Sequence, residues 1–473
     1  MSLLSEVSVE PALFFYFVVM IISSCLNTNL LLYKACDPTS APQVGSKCDN
    51  EKEAQHVVAS INAWKTMIQQ LVPIALAMIA GTWSDLHGRR RKPLIVLPIV
   101  GQIASDALSM YCTVEWSVSP AMTAVLQVIM LSFSGGPPVL YNGVNSYVAD
   151  TSSEEWRTIK YGVLNGVMTA GCIMGMLVYG CVIVRLGLVS AYALCVGLGI
   201  VALVLTYAFI NEVAAPDVDD KQTSVDKVTL CQDIVRTINP IETFRNCYRV
   251  LTKRRQGHNT AILCLVLLAC APLTCVPFEG EFSVIYLFLR YKFQFGEIEF
   301  GIFNAYIMAV VFLGNIFALS ILSHKVGIND ASIGIIASIC DLLAAIAFFL
   351  VSQTWQVYLV PPLELFRGAS LAITSSIASK FVEPTELGAM NSVKQLIEST
   401  SKSGFLPLYN IIYNNTLESI PSAFFLISIF LTAPLILIFW LIKYLNQGQK
   451  SCSIDDSENR KPDNNEISTI ERL

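Results

Sequence analysis

Charged side chains stand at helical spacing inside segments of this chain that are otherwise apolar. Glu364 and Arg367 are three residues apart, so on one helix they share a face and can form an ion pair. Lys394, Glu398 and Lys402 recur every four residues and form one stripe along a helix. Such a stripe cannot face lipid, so we expect it to line a cavity or to contact another helix. Its two lysines would attract an anion.

Two further carboxylates, Glu279 and Glu281, lie in the stretch CVPFEGEFSVIY. A carboxylate in hydrocarbon is costly, and one that is taken out of water can carry a proton. Residues two apart point about 200° from each other on a helix, so these two share a face only if the helix breaks. Pro272, Pro277 and Gly280 favour such a break. We interpret the stretch as a bent outer gate in which one glutamate faces a water-filled mouth and the other holds a neighbouring helix.

The composition indicates that these side chains are embedded in a membrane. The 473 residues are 54% hydrophobic and 14% charged, whereas soluble domains are about 25% charged. About a dozen apolar blocks reach the roughly 20 residues that a helix needs to cross a bilayer. We therefore predict an all-α polytopic membrane protein, with no indication of nucleic-acid binding. No phosphate-cradling loop, nucleophile elbow or zinc-binding spacing occurs, which argues against an enzyme and against a bound metal.

Twelve membrane spans are predicted in two groups of six. The first bundle occupies 1–210, a cytoplasmic linker 211–259, the second bundle 260–445 and a disordered cytoplasmic tail 446–473. Lys and Arg concentrate in the loops on one side, which places both termini in the cytoplasm. The predicted spans are 11–33, 63–85, 93–113, 120–148, 158–181, 186–210, 260–288, 299–322, 327–350, 355–378, 387–412 and 421–444.

This orientation predicts how deep the charged residues lie. Span ten runs inward from Trp355, so at about 1.5 Å per residue Glu364 and Arg367 lie about 14 and about 18 Å deep, near the midplane. Span seven rises from Thr260, so Glu279 lies about 28 Å up, in the outer third. Glu364 and Arg367 could couple protons and bind a substrate carboxylate, or could form a neutral ion pair that pins two helices. The residues alone leave both alternatives open.

The first half is predicted to be nearly free of charge within the membrane. Asn27 in span one and Asn165 in span five are its candidate contacts with a polar substrate, although contacts between helices are the commoner use of such residues. The asymmetry predicts that ion coupling belongs to the second half. Asp341 in span nine is interpreted as a structural partner of a neighbouring helix.

Two covalent modifications are predicted on the side opposite the termini. Cys36 and Cys48 lie in the polar loop after span one and could form a disulfide bond in an oxidising compartment. Asn414-Asn415-Thr416 is a glycosylation sequon in the loop before the last span, with Asn414 as the acceptor.

The loop between spans two and three, GTWSDLHGRRRK, predicts a cluster of charges at the cytoplasmic face. Its arginines can bond a helix C-terminus or an acidic partner, and the best such partner in sequence is Asp150. Arg157 can pair back to Asp85. A plain positive anchor would explain the arginines but not the glycines and the aspartate at these spacings. The members of the predicted cluster are Gly81, Asp85, Gly88, Arg89, Arg90, Asp150 and Arg157.

This loop is similar to the G-x-x-x-D-x-x-G-R-[RK] motif of the major facilitator superfamily, and the six-plus-six layout resembles that of its members. The segments VEPALFF, SYVADTSSEEWRTIKYGVLNG and ASKFVEPTELGAMNSV together resemble the proton-coupled folate transporter family, solute carrier family 46. FEGEFSVIYLFLRYKFQF resembles the version in invertebrate members. The resemblance implies two six-helix pseudo-repeat bundles and a charge cluster that locks one conformation. It also implies proton-driven symport of an organic anion of the folate, muropeptide, cyclic dinucleotide or steroid-conjugate class.

The resemblance also bears on single residues. Asn165 stands where the folate carrier has a coupling glutamate, and the four histidines lie outside the predicted spans or at their ends. Both departures argue against folate itself and leave carboxylates to carry protons. Glu281 aligns with an acidic position of the folate carrier, which favours it slightly over Glu279 for the pore.

The sequence therefore predicts a secondary active transporter that works by alternating access and uses a proton gradient rather than a cofactor. The alternative is a transporter-like receptor or regulator that moves no solute. The expected partners are a small organic anion, protons and the lipid bilayer, with a monomer favoured and a dimer left open. The expected location is the plasma membrane first and a lysosomal or endosomal membrane second.

Overall fold

The computed structural model describes residues 9–40, 50–86, 90–152, 154–210, 248–249, 251–255, 258–326, 328–382 and 387–458. Every regular element in these ranges is a helix. Nine of the helical segments described are long and apolar enough to cross a membrane. The predicted all-α membrane fold is confirmed at this level. Most of the predicted linker lies outside the described residues.

The first half of the chain forms six helices. They are α1 (Glu10–Cys36), α2 (Glu51–Leu86), α3 (Lys92–Val114), α4 (Pro120–Phe133), α5 (Gly136–Thr151) and α6 (Glu154–Phe209). The predicted fourth span is thus two helices that meet at Gly135, whose φ of 83° is a left-handed conformation that glycine adopts at no steric cost. α6 departs from helical geometry at Gly187, with φ 75° and ψ 173°. That position lies next to the predicted boundary between spans five and six.

The second half contains several interrupted helices. They are α7 (Asn259–Leu265), α8 (Ala271–Phe293), α9 (Glu297–Phe317), α10 (Asp330–Leu350), α11 (Thr354–Val357), α12 (Arg367–Lys380), α13 (Leu387–Thr416) and α14 (Phe425–Glu458). A π-helical turn, Val266–Cys270, joins α7 to α8, and a second π-helical stretch, Ala318–Lys325, follows α9. α14 runs past 446, where a disordered tail was predicted to begin, and 459–473 lie outside the described residues.

The helix breaks in this half differ from the predicted ones. α8 passes through Pro277 and Gly280 without interruption, and the irregular turn comes just before Pro272, which occupies the first turn of α8, where a proline is tolerated. A Cβ at Gly280 would lie 2.5 Å from the ring of Tyr409, so this glycine serves close packing against α13 rather than a bend. The predicted bent gate is therefore wrong.

The break occurs instead in predicted span ten. α11 has four residues, and a 3-10 turn, Pro361–Glu364, precedes α12. Pro361 and Pro362 lack the N–H groups that an α-helix needs in its interior, and Pro361 occupies the first turn of the 3-10 segment. The depths counted from Trp355 assumed one regular helix, so they do not apply.

The two halves pack directly against each other at the end of the molecule where α1 finishes. We call this interface, formed by α1, α2 and α6 with α8, α9 and α13, the closed end. A Cβ at Gly180 of α6 would lie 2.6 Å from the Cα of Ile298 in α9, so the two backbones nearly touch. A hydrophobic cluster that includes Tyr33 of the first half and Phe288 of the second fills the interface.

The glycines of α6 differ in their surroundings along the helix. Cβ atoms at Gly171 and Gly175 would lie 2.8 Å and 2.9 Å from backbone oxygens of α1, so these two glycines serve close packing of α6 against α1. Cβ atoms at Gly162 and Gly166 would have nothing within 4 Å. The start of α6 therefore faces open space rather than a packed neighbour.

Gly314→Ala is expected to destabilise the protein by about 1–3 kcal/mol, because the new methyl group would overlap the carbonyl oxygen of Leu365, just before α12. Thermal unfolding of the purified protein measures the effect. Gly162→Ala is the matched control, since its methyl group enters open space within a helix and alanine favours helix by about 1 kcal/mol. Equal melting temperatures for the two variants would contradict the contact between α9 and the turn.

Candidate functional site

Arg367, at the start of α12, holds two buried carboxylates. Its Nη2 donates to Glu281 Oε2 at 2.6 Å, and its Nη1 donates to Glu364. The guanidinium also lies over the ring of Phe278, 5.5 Å from its centroid. Glu364 and Glu281 are only 1% and 6% exposed. The predicted pair of Glu364 and Arg367 is present, and α8 supplies its third member.

A third carboxylate, Asp341 of α10, completes this group. Its Oδ2 accepts a hydrogen bond from Ser370 Oγ at 3.4 Å, and its charge interacts with that of Arg367. Asp341 Oδ1 and Glu364 Oε2 are buried and have no hydrogen-bond partner among the described residues. Three carboxylates facing one arginine carry two excess negative charges when all are ionised, which is costly in an apolar interior. Proton uptake at the two unpaired oxygens would remove that excess. We call Arg367, Glu281, Glu364 and Asp341 the carboxylate cluster.

Glu279 forms a second ion pair on the same helix. Lys402 Nζ donates to Glu279 Oε1 at 2.6 Å, and Gln70 Nε2 of α2 donates to its Oε2 at 3.2 Å. The side chain of Glu279 is 37% exposed, whereas that of Glu281 is 8% exposed. Glu279 is therefore the more exposed of the two glutamates. The prediction that Glu281 rather than Glu279 faces the pore does not agree with these exposures. Because α8 is unbroken, the two point to different sides, and Arg367 holds the inner one.

The stripe on α13 contacts two neighbouring helices. Lys402 reaches α8 as described, and Lys394 Nζ donates to Ser375 Oγ of α12 at 2.7 Å. Lys394 Nζ also lies 3.1 Å from Glu398 Oε1, one turn along α13. The stripe and the carboxylate cluster thus share α8 and α12. The separate outer gate and deeper site that were predicted are one region, because Glu281 of α8 touches Arg367.

Asn27 is used inside the first half. Its Oδ1 accepts from Tyr192 Oη at 2.8 Å and from Ser109 Oγ at 3.3 Å, which ties α1 to α6 and α3. It therefore serves helix contacts in this structure. Asn165 is exposed and donates to the Tyr161 carbonyl at 3.0 Å, near the open space beside Gly162. Of the two predicted asparagines, Asn165 is the one that a solute could reach.

The first half is not as free of charge as predicted. Asp106 of α3 is fully buried and accepts from Ser23 and from Gln102 Nε2, the latter at 3.0 Å and 3.1 Å. Lys65 of α2 is buried and donates to Gln127 at 2.7 Å. Both residues stand inside predicted spans in the sequence, so a search for lone charges in apolar runs finds them. Their polar neighbours within the half satisfy them.

A charged network at the closed end was not predicted. Arg290 lies at the end of α8 and contacts Glu51 of α2 at 3.1 Å and Glu297 of α9 at 3.0 Å. Tyr33 of α1 donates to Glu297 at 2.7 Å. These contacts join the two halves through one arginine. In sequence Glu51 is 239 residues from Arg290, and all three charged residues lie at span ends or in the loops beside them, where charges are common.

Two more contacts join the halves at the rim of the closed end. Lys52 Nζ lies 2.6 Å from Glu418 Oε1. A hydrogen bond from this ammonium lowers the pKa of the exposed Glu418, so the pair weakens only in strong acid. Asn414 lies in the last turn of α13; its Oδ1 is 2.6 Å from His56 Nδ1 and its Nδ2 donates to Ser60 at 3.2 Å. Glycosylation of Asn414 remains a prediction.

The predicted charge cluster includes an arginine, Arg91, that was not predicted to belong to it. Asp150 accepts from Arg91 Nε at 2.9 Å, and Arg91 Nη1 donates to Ser84 at 3.0 Å. Arg91 is buried because it immediately precedes α3, whereas Arg90 is exposed. Arg90 was thus wrongly assigned as a partner of Asp150.

The remaining predicted members stay predictions. Gly81 and Asp85 belong to α2 and Arg157 to α6, but their side-chain surroundings lie outside the described structure, as do Gly88 and Arg89 altogether. Cys36 is disulfide-bonded, and its predicted partner, Cys48, also lies outside the described residues. Among the described residues no group of acidic, histidine and cysteine side chains could hold a metal ion.

A helical bundle whose halves meet around buried ion pairs has the architecture of a membrane transporter. The chain belongs to the Major Facilitator Superfamily, whose model matches residues 12–401.

Relatives of known description are transporters rather than enzymes. The chain is 22% identical over 436 residues to the probable peptidoglycan muropeptide transporter SLC46 of Drosophila melanogaster, which covers 86% of this chain and 80% of that protein. It is 23% identical over 403 residues to the lysosomal proton-coupled steroid conjugate and bile acid symporter SLC46A3 of Mus musculus, covering 81% and 82%. Both relatives are members of solute carrier family 46, which confirms the predicted resemblance.

Solved structures show the same fold. A peptide transporter POT in complex with sulfate matches with a TM-score of 0.63 and 11% identity, over 92% of this chain and 95% of that one. The human organic anion transporter MFSD10 (TETRAN) matches with a TM-score of 0.60 and 16% identity, over 92% and 98%. At these identities the likeness concerns the fold alone.

Arg91→Gln is expected to lower the stability by about 1–3 kcal/mol, because it removes the charge-assisted hydrogen bond from Arg91 to a half-buried Asp150. Arg90→Gln is the control and should change stability by at most about 0.5 kcal/mol, since Arg90 is exposed. Chemical or thermal unfolding of the two purified variants gives the comparison. A larger loss for Arg90→Gln would reassign the pair.

Proposed function

We propose that this chain is a proton-coupled symporter of an organic anion that works by alternating access. One observation carries the proposal: three carboxylates surround the guanidinium of Arg367, and two of their oxygens are buried with no hydrogen-bond partner among the residues that the structure describes. A cluster of this kind changes its charge by taking up protons. The mouse relative is named a proton-coupled symporter, which supports the same reading.

The geometry suggests how proton and anion binding are linked. In the empty site Glu281 and Glu364 hold Arg367. A proton on either one replaces an ion pair by a weaker hydrogen bond from the charged guanidinium to a neutral carboxylic acid. The guanidinium is then free to bind an anionic group of the substrate in the bidentate geometry that arginine favours. Loss of the proton restores the ion pair and expels the anion, so each ligand favours the binding of the other.

We propose twelve membrane passes in two six-helix halves with both termini in the cytoplasm. The apolar segment Lys160–Phe209 has 50 residues, which as a helix would be about 75 Å long against a hydrocarbon core of about 30 Å. The irregular Gly187 divides it into two passes. The segment of α11 and α12 and the helix α13 provide two more, because their polar residues face neighbouring helices rather than lipid. In this orientation the closed end faces outward.

The proposed substrate is an organic anion of the muropeptide or steroid-conjugate class, as in the names of the two relatives. Lys394, Lys402 and Arg367 place three cations in one region of the second half. The protein would act in the plasma membrane or, like the mouse relative by its name, in the lysosomal membrane. In both membranes the side away from the cytoplasm can be acidic, which would drive inward transport.

Uptake into proteoliposomes tests the function. The purified chain is reconstituted, and entry of a muropeptide, a steroid sulfate and a bile acid is measured with and without an inward proton gradient. At least one of them should enter faster with the gradient, and a protonophore should remove the difference. A receptor or regulator would show no gradient-dependent uptake of any anion, and that result would refute the symporter.

Glu364→Gln is expected to abolish the stimulation of uptake by acid, because glutamine can hydrogen-bond Arg367 but cannot bind a proton. Initial rates between pH 5 and pH 8 should become flat in this variant. Glu418→Gln is the control, since Glu418 is an exposed glutamate at the closed end, away from the carboxylate cluster. If Glu364→Gln retains the pH dependence of the unmodified protein, Glu364 does not carry the coupled proton.

A further inference from the structure

The ion pair of Glu279 and Lys402 differs from the carboxylate cluster in its exposure. The side chain of Glu279 is 37% exposed and that of Lys402 is 15% exposed, whereas that of Glu364 is 2% exposed. The pair can therefore be reached by a solute without unpacking the protein. Arg367, by contrast, is bound by two carboxylates that are themselves buried.

The pair also differs in its link to the first half of the chain. Gln70 of α2 donates to the Glu279 oxygen that Lys402 does not bind. Lys394 is held by Ser375 and Glu398, both of the second half. Of these two lysines, Lys402 is the one whose carboxylate partner contacts the opposite half.

The chemistry of Lys402 suits an exchangeable anion. An ammonium group is a compact point charge that binds a carboxylate, sulfate or phosphate with little demand on direction. Glu279 occupies it with a carboxylate at 2.6 Å, the kind of group that an organic anion also carries. Since the glutamate is partly exposed, a solute anion can replace it at a small net electrostatic cost.

We propose that Lys402 is the first subsite for the anionic group of the substrate, occupied before proton uptake frees Arg367, and that Glu279 is a built-in competitor, which occupies this subsite when the transporter is empty and shut at the closed end. This inference rests on the proposed function and adds the place where the substrate charge first binds. The ligand chemistry is an organic carboxylate, sulfate or phosphate.

Competition by Glu279 would also link substrate release to the relative positions of the two halves of the protein. When an anion takes Lys402, Glu279 leaves the place where Gln70 reaches it, so a contact between the halves is lost. Conversely, the contact of Gln70 with Glu279 favours the ion pair and lowers the affinity for substrate in this conformation. A ligand shifts a conformational equilibrium only by its difference in affinity for the two states, and this competition supplies such a difference. An importer needs low affinity on the side of release.

Binding to the purified full chain in lipid nanodiscs tests the subsite directly, without a gradient. The probes are a muramyl dipeptide, a steroid sulfate and inorganic sulfate, which distinguish a carboxylate from a sulfate. Glu279→Gln should bind at least one probe about 2- to 5-fold more tightly than the unmodified protein, because a partly exposed competing ion pair contributes up to about 1 kcal/mol. Lys402→Met should lose at least about tenfold relative to Glu279→Gln. The double variant should behave like Lys402→Met.

Two controls test whether the changes in affinity are specific to the ion pair of Glu279 and Lys402. Asp330→Asn frees Lys380, whose Nζ lies 2.6 Å from Asp330 Oδ2 and whose side chain is 61% exposed. Because this ion pair joins α10 to α12 and involves neither Glu279 nor Lys402, the substitution should leave all affinities unchanged. The neutral methyl ester of the muramyl dipeptide should bind all variants alike. Melting curves with no probe show whether each variant is folded, and the comparison of the double variant with Lys402→Met remains valid if Glu279→Gln alone is unstable.

The outcomes separate this inference from the proposed function. Equal affinities of Glu279→Gln and the unmodified protein, or no binding of any probe to Glu279→Gln, would overturn the competitor. If the tighter binding is found but no uptake occurs, the subsite holds and the symporter fails. In proteoliposomes that do transport, Glu279→Gln should lower KM and turnover together, since substrate is released more slowly.

Discussion

The arrangement of the second half depends on one guanidinium in a medium that solvates charge poorly. Arg367 can be buried because carboxylates from other elements compensate its charge: Glu281 from α8, Glu364 from the preceding turn and Asp341 from α10. Removing the guanidinium leaves these buried carboxylates without their cation, at a cost of about 3–5 kcal/mol. This cost fixes the relative positions of three elements. It also makes the arrangement sensitive to any proton or anion that changes the balance.

The excess of carboxylates separates this cluster from an ordinary structural ion pair. A pair of one arginine and one carboxylate would be neutral and inert. Here one oxygen of Glu364 and one of Asp341 have no hydrogen-bond partner among the described residues. Both belong to the group around Arg367, which already has two carboxylate partners. α9 packs against the turn before α12 at Gly314, and this contact holds the carboxylate cluster in place. The charges at the closed end, by contrast, are shared between the two halves through Arg290.

Much of the fold and part of the site could be predicted from the sequence. Long apolar blocks and the loop with Asp85 and Arg89 gave the class, and helical spacing gave the contact between Glu364 and Arg367. The helical spacing of residues could not by itself show which helices pack against each other. Glu281 was favoured for the pore because it aligns with an acidic position of the folate carrier, and the sequence could not show that it meets Arg367, 86 residues away in the chain. A helix break was predicted from Pro272, Pro277 and Gly280, whereas the helix is interrupted at Pro361 and Pro362, before α12.

Other residues were misjudged because their environment is tertiary. Arg91 rather than Arg90 meets Asp150, a difference of one position that depends on where α3 begins. Asp106 was overlooked because a single carboxylate in an apolar segment does not change the prediction of a membrane span. Its hydrogen bonds from Ser23 and Gln102 become apparent only when α1 and α3 are packed together. Sequence reasoning identifies the charged groups that need partners, and the fold decides which partners they receive.

The continuity of α8 has a mechanical consequence. Glu281 and Arg290 stand nine residues apart on one uninterrupted helix, which is about 14 Å along its axis. A hydrogen-bonded helix of this length is stiff, so in the proposed transport cycle it would act as a rod, with the proposed proton-binding contact at one point and the arginine between the halves at its tip. A small tilt of α8 at Glu281 would then also move Arg290. Proton binding and closure would thus be joined by a single helix rather than by a series of loose contacts.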